Sequence, residues 1–191
     1  MKTLIAIFAS GSGTNAEEII RHFKNHEHIQ VALILSNNPD AYVLTRAKNH
    51  HIPTVLFDRN SFYKETVVDE ALQKNGIEFI VLAGFMWLMP GRIVRRFSDK
   101  MINIHPALLP AYGGKGMYGI HVHEAVVKNR ETQSGITIHL VNEEYDKGKI
   151  LFQATCPLEP TDTADDVAVK VHALEYAHYP AVIEQAILMG K

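Results

Sequence analysis

Seven short apolar runs punctuate the chain, at residues 3–9, 30–36, 54–58, 79–83, 101–104, 135–141 and 150–157. They are rich in Val, Ile and Leu, and several are apolar at consecutive positions, so both faces ask for burial, as in parallel strands. Amphipathic stretches lie between them. Helices are predicted at 15–26, after a Ser/Gly loop; at 42–50, after the turn-forming Asn37-Asn38-Pro39-Asp40; and at 62–75, with Asn60 or Ser61 as N-cap and Gly76 just past the end. Others are predicted at 90–97, with proline in the first turn, at 122–129, and from 163–166 to 188. Pro180 disfavours helical geometry at Tyr179, so the last helix is expected to be interrupted or bent there.

The first four strands alternate with helices, which implies right-handed βαβ units and a mainly parallel sheet. Only residues 142–149 separate the last two strands, too few for a helical crossover, so that pair is expected to be antiparallel. The expected architecture is α/β, a doubly wound, mainly parallel sheet of about seven strands with an antiparallel addition. In such sheets ligands bind outside the carboxyl ends of the strands.

Composition narrows the function classes. The 191 residues suit one domain, and 47% hydrophobic with 21% charged residues excludes a disordered chain. Lys+Arg of 19 against Asp+Glu of 21 gives a net charge of −2, which does not suggest a nucleic-acid partner. No apolar run approaches the roughly 20 residues that span a bilayer, and the apolar N-terminus is broken by Gly11-Ser12-Gly13. A single cysteine, Cys156, rules out an internal disulfide and points to a reducing, cytoplasmic compartment. The 11 histidines raise the question of a metal, but no Cys partner or H-E-x-x-H spacing accompanies His26 and His28 or His121 and His123, so none is expected.

Three segments carry chemistry. Ser10-Gly11-Ser12-Gly13-Thr14-Asn15 follows a strand and opens a helix, where backbone amides and the helix dipole favour an anion. The third glycine of a dinucleotide fingerprint and the Walker lysine are both absent, so a phosphate monoester fits better; a ligand-free tight turn is the competing reading. Asn103 and His105, two apart at a strand end, point to one side and could together stabilise an oxyanion and move a proton; a capped turn is the alternative. Leu109-Pro110 just beyond is a candidate tight bend, with a cis peptide as one option. Asp146, in an acidic turn closed by Gly148, could orient a histidine or a water, or it could belong to a solvated hairpin turn.

With these segments in view, the chain resembles the phosphoribosylglycinamide formyltransferase family, folate-dependent enzymes of de novo purine biosynthesis. The resemblance runs nearly end to end. It is carried by G-x-G-[ST]-N at Gly11-Ser12-Gly13-Thr14-Asn15, L-A-G-F-M at Leu82-Ala83-Gly84-Phe85-Met86, N-I-H-P-[AS]-L-L-P at residues 103–110, and a signature at 135–148 ending in D-x-G. It implies the formyltransferase fold over one domain, 1–191, with a phosphate-binding half at 1–100 and a catalytic and folate-binding half at 101–191. It also implies transfer of a formyl group from 10-formyltetrahydrofolate, a co-substrate, to the amine of glycinamide ribonucleotide. No metal, nucleic-acid or membrane partner is implied, and the chain is expected as a monomer or homodimer. The implied catalytic residues are Asn103, His105 and Asp146, with His105 protonated and Asp146 favouring its imidazolium. The implied substrate residues are Gly11, Ser12, Gly13, Thr14, Asn15 and Glu175. Met86, Trp87, Leu88 and Met89 are implied to line the folate pocket, and Val141, Asn142, Glu143, Glu144 and Tyr145 to fold over the pterin.

Two departures stand out. Residues 111–120 form a glycine-rich insertion containing Lys115, either a flap over substrate or a plain longer loop. Trp87 stands where relatives often have arginine, and Arg59 is the candidate for another arginine that some relatives carry near a helix start. Methionyl-tRNA formyltransferase and formyltetrahydrofolate hydrolase share parts of the pattern but usually carry extra domains; a non-catalytic phosphate-binding module would leave the catalytic trio without a joint purpose.

Overall fold

The computed structural model describes residues 1–190. Strand β1 (Thr3–Phe8) shows why both faces of the sheet are covered: Ile5 and Ile7 belong to one buried layer, Ala6 and Phe8 to the other. The remaining strands are β2 (Ile29–Ser36), β3 (Thr54–Leu56), β4 (Phe79–Leu82), β5 (Met101–His105), β6 (Gln133–Leu140) and β7 (Ile150–Pro157). They form one seven-stranded sheet in the order β3-β2-β1-β4-β5-β6-β7. Pairing is parallel from β3 through β5, and β6 is antiparallel to both β5 and β7. The doubly wound sheet with its antiparallel addition is as the sequence pattern predicts.

One face packs against α1 (Thr14–Phe23), α2 (Val43–Asn49), α6 (Ile120–Lys128) and α7 (Ala164–Met189), through Ile19, Val43, Val126, Val171 and Ile183 among others. The other packs against α3 (Arg59–Tyr63), α4 (Val67–Lys74) and α5 (Gly91–Arg96), through Phe62, Leu72 and Ile93. Reversal of strand order beside β1 leaves a crevice at the carboxyl ends of β1, β4 and β5.

Two helix expectations change. The helix predicted at 62–75 is two helices, α3 and α4, and its cap is Asp58, which closes a capping box with Ser61. Arg92 stabilises the break: its guanidinium donates to the Phe62 carbonyl at 2.7 Å and the Glu65 carbonyl at 3.0 Å, and to Asp69 at 2.9 Å. These carbonyls belong to a helix end that would otherwise lack partners. The expected interruption at Tyr179-Pro180 does not occur, and α7 continues through Pro180. Tyr179 is fully buried there, and its hydroxyl donates to the carbonyl of Leu82 at 2.8 Å, at the end of β4. Tertiary packing on both sides of the proline overrides the local preference.

Candidate active site

The crevice is a cleft of about 1130 Å³. Strand register assembles its floor. Asn103 lies opposite Leu82 in the parallel pair and opposite His139 in the antiparallel pair, so the antiparallel addition sets Asn103 and His139 side by side. The segment after β6 then folds back over them. Gly148 makes this possible, because a Cβ at that position would overlap the Leu140 carbonyl oxygen. Asp146, in the same turn with φ +54°, thereby reaches the two histidines.

The ring tautomers follow from carbonyl partners, which can only accept. His105 Nε2–H donates to the Tyr112 carbonyl at 2.7 Å, leaving Nδ1 facing Asp146 Oδ2 at 3.6 Å. His139 Nδ1–H donates to the Leu140 carbonyl at 2.8 Å, so its Nε2 lone pair accepts from the Asn103 amide at 3.1 Å. That amide nitrogen is also 3.5 Å from Asp146 Oδ1, a weaker hold that leaves one N–H available to another acceptor. Asp146 Oδ2 accepts the Gly114 N–H at 2.9 Å.

Burial pushes the Asp146 carboxyl up, but the Gly114 N–H and the flanking histidines, which donate or carry charge when protonated, outweigh it and hold it below the ordinary range. For His105 the balance differs from the expectation of a standing imidazolium. Burial pulls it down by more than Asp146 and the Tyr112 carbonyl raise it, so the free site holds a neutral imidazole beside a carboxylate. Such a pair is primed to receive a proton at Nδ1, which then lies against Asp146.

Gly11, Ser12, Gly13, Thr14 and Asn15 line one end of the cleft. Gly13 is the N-cap of α1 with φ +71°, and no side chain caps that helix end, so its first N–H groups are free to cradle an anion. Glu175 of α7, only 5% exposed, accepts from Asn15 Nδ2 at 2.7 Å, and burial raises its pKa. Met86, Trp87 and Leu88 also line the cleft. Met86 N–H donates to the Ser10 hydroxyl at 3.2 Å, so this segment starts beside the loop after β1 and leads away to Trp87, over which Arg59 lies. Met89 is buried and, with Val141, Glu144, Tyr145 and Asp146, lines a small adjoining hollow of about 60 Å³. Asn142 and Glu143 lie outside both linings: Asn142 accepts the Glu144 N–H at 3.0 Å, and Glu143 pairs with Arg95 at 2.7 Å.

Several lining residues carried little sequence signal. Arg59 lies over the Trp87 ring at 5.0 Å, Tyr63 stacks on the same ring, and the Tyr63 hydroxyl donates to the Leu88 carbonyl at 2.9 Å. His123 and His172 line the cleft beside His105. His123 is 2% exposed, and its Nδ1 is buried without a partner. Burial, with His172 and His105 nearby, pulls its pKa down to about 4. Of the remaining histidines, His22 and His26 of the α1 region both hydrogen-bond Glu184 of α7, at 2.8 and 3.2 Å. Two backbone N–H groups occupy His26 Nδ1, which assigns the proton to Nε2 and disfavours metal ligation there. No group of three or more potential ligands is placed for a metal ion among the described residues, and no helix among them is long and apolar enough to cross a membrane.

Comparison with known proteins places the chain among enzymes of one family. The sequence profile of the formyl transferase family matches residues 3–183. A phosphoribosylglycinamide formyltransferase of Haemophilus influenzae is 37% identical, over 94% of this chain and 85% of the relative. One of Bacillus subtilis is 35% identical, over 95% and 93% respectively. The crystal structure of phosphoribosylglycinamide formyltransferase from Bacillus halodurans superposes with a TM-score of 0.89 at 35% identity, covering 99% of this chain and 97% of that one.

Proposed function

The chain belongs to the formyl transferase family, among the phosphoribosylglycinamide formyltransferases of purine biosynthesis, and from that premise we propose how its own residues perform the transfer. The acceptor is glycinamide ribonucleotide, and the donor is 10-formyltetrahydrofolate. The substrate phosphate sits on the amides of the Gly11–Asn15 loop, and Glu175 accepts a sugar hydroxyl with the capacity that Asn15 leaves. The folate occupies the Met86-Trp87-Leu88 end under the turn that carries Tyr145, with Arg59 as counter-charge for a carboxylate of its tail. The halves 1–100 and 101–191 are not separate folding units, because β4 and β5 pair across residue 100, and both halves contribute to each ligand's site. The lone thiol, outside the cleft lining, suits a reducing cytoplasm.

The amine is its own nucleophile. Its lone pair attacks the formyl carbon, and the carbonyl π electrons move to oxygen. The less firmly held Asn103 N–H donates to that developing oxyanion. The amine proton passes, directly or through one water, to His105 Nδ1, where Asp146 stabilises the imidazolium. Collapse breaks the bond between the formyl carbon and the folate nitrogen, which takes a proton back from His105. The observation that carries this reading is the joined Asn103–His139–Asp146–His105 cluster at the meeting point of the cradle and the aromatic end. The test mixes protein, 10-formyltetrahydrofolate and glycinamide ribonucleotide and measures formylated product. Release of formate without acceptor, or binding of both ligands without turnover, would overturn it.

A further inference from the structure

The cradle at the N-terminus of α1 has no cation of its own in the cleft. Arg46 touches it from behind: its Nε donates to the Ser12 carbonyl at 2.9 Å while its guanidinium pairs with Glu17 at 3.4 Å, and it does not line the cleft. The lining contains three carboxylates, Asp146, Asp165 and Glu175, against two permanent cations, Arg59 and Lys115. Arg59 is occupied over Trp87 at the far end. A phosphate dianion entering this cleft therefore meets a deficit of positive charge that one residue is free to correct.

Lys115 makes no ion pair among the described residues. It stands in the glycine-rich loop whose backbone is tied to the reacting centre at one end, through Gly114 N–H on Asp146 at 2.9 Å. At the other end Gly119 leads into α6, whose His123 lies by His172 of α7, one turn from Glu175 and its partner Asn15. The loop thus runs over the acceptor side of the cleft. We propose that Lys115 closes over the acceptor phosphate and supplies the counter-charge that the α1 cradle lacks, making it a specificity residue for phosphorylated acceptors. This rests on the reaction assigned above.

The test compares wild type with Lys115→Ala and Lys115→Arg in formyl transfer, each checked for an unchanged melting temperature. The expected result for Lys115→Ala is a KM for glycinamide ribonucleotide raised about tenfold or more, as for loss of a charge-assisted contact, with kcat nearly constant and the folate KM unmoved. Lys115→Arg recovers most of the loss. Inorganic phosphate inhibits the Ala variant more weakly than wild type. The dephosphorylated glycinamide riboside, followed as a competitive inhibitor so that turnover is not required, binds all three proteins equally. An unchanged acceptor KM, an equal loss of riboside binding, or a rise confined to the folate KM would overturn the role of Lys115 while leaving the reaction standing. Wild type without transfer activity would overturn the reaction itself.

Discussion

Two glycine-rich loops border the cleft, and glycine serves a different end in each. In the loop after β1, Gly13 is hemmed in: a Cβ there would lie 2.5 Å from Val43 Cγ2. Its neighbours are pinned as well, with the Ser10 hydroxyl donating to Asn37 at 2.7 Å, the Val43 N–H to the Gly11 carbonyl at 3.2 Å, and Arg46 to Ser12. In the 113–119 loop the base is also close-packed, since a Cβ at Gly113 would lie 2.5 Å from Leu109 Cδ2, but Gly114 and Gly116, with φ of +97° and +89°, would place a Cβ where nothing lies within 4 Å. That loop hangs mainly on Gly114 to Asp146, Tyr112 to His105 and its own turn, Met117 N–H to the Gly114 carbonyl. A cradle that must present amides to an anion gains from being rigid before the ligand arrives, because little ordering entropy is then spent on binding. A loop that must admit a substrate and then cover it belongs to the weakly held part of the fold.

The largest effect should come from cutting the tie between the second loop and the catalytic centre. Asp146→Ala removes the partner of His105 and the acceptor of the Gly114 N–H together. We expect kcat/KM to fall by about 10²–10³, the scale for loss of one group that stabilises charge in the transition state. Hydrogen exchange should accelerate in residues 113–119 and stay unchanged in 10–15. Equal acceleration in both loops would break the comparison, and a folded variant at wild-type rate would remove Asp146 from the mechanism. On the residual activity of Asp146→Asn, the acid limb of the pH profile should move to lower pH, because the carboxylate is what raises His105 against burial.

The order of legibility follows the order of locality. Strand count, the antiparallel turn and the Asn103–His105 pair are written in adjacent residues, where alternation and spacing are direct signals. Met86 to Leu88 of the segment implied by the resemblance lie on the cleft, while Met89, the fourth, is buried beside it. What was hidden depends on distant partners. The break between α3 and α4 needs Arg92, and the continuity of α7 through Pro180 needs the Tyr179 hydroxyl on β4. The charge state of His105 could not be read either, since Asp146 alone argues for an imidazolium and only the depth of burial reverses it. Asn142 and Glu143, adjacent to residues on the cleft, turn away because a local turn and Arg95 claim them.

The second effect concerns where the 113–119 loop is fastened. His123 stands just beyond it on α6, buried beside His172 and His105, with a pKa of about 4 against an ordinary 6.5. The unfolded chain therefore binds a proton between these values that the native state refuses, so stability rises with pH across that window. Above about 6.5 the term is nil, and as pH falls towards 4 it grows into a penalty on the native state of roughly 3 kcal/mol. Urea titrations of wild type and His123→Gln from pH 7 to 4 should show a flatter decline for the variant. Exchange at the acid end should open 113–119 and α6 before the β1 loop. Identical slopes would detach His123 from the acid response.

The smallest effect, that of Gly116→Ala, separates the loops most directly when set against Gly13→Ala, because one methyl group is applied to each. Gly13→Ala meets both a disfavoured backbone at φ +71° and the Val43 side chain, and overpacking together with left-handed strain should destabilise by about 2–4 kcal/mol. Val43→Ala added to it should recover only part, since Val43 Cα itself would be 2.9 Å from the new Cβ. Gly116→Ala meets only the backbone term, about 1–2 kcal/mol at most. A loop that is already loosely held can relax to another conformation instead of unfolding the domain, so the melting temperature should barely move, while the KM for the acceptor rises modestly as the bound form of the loop becomes harder to reach. If the two alanine variants lower the melting temperature equally, the 113–119 loop is as firmly integrated as the cradle, and its glycines serve packing rather than motion.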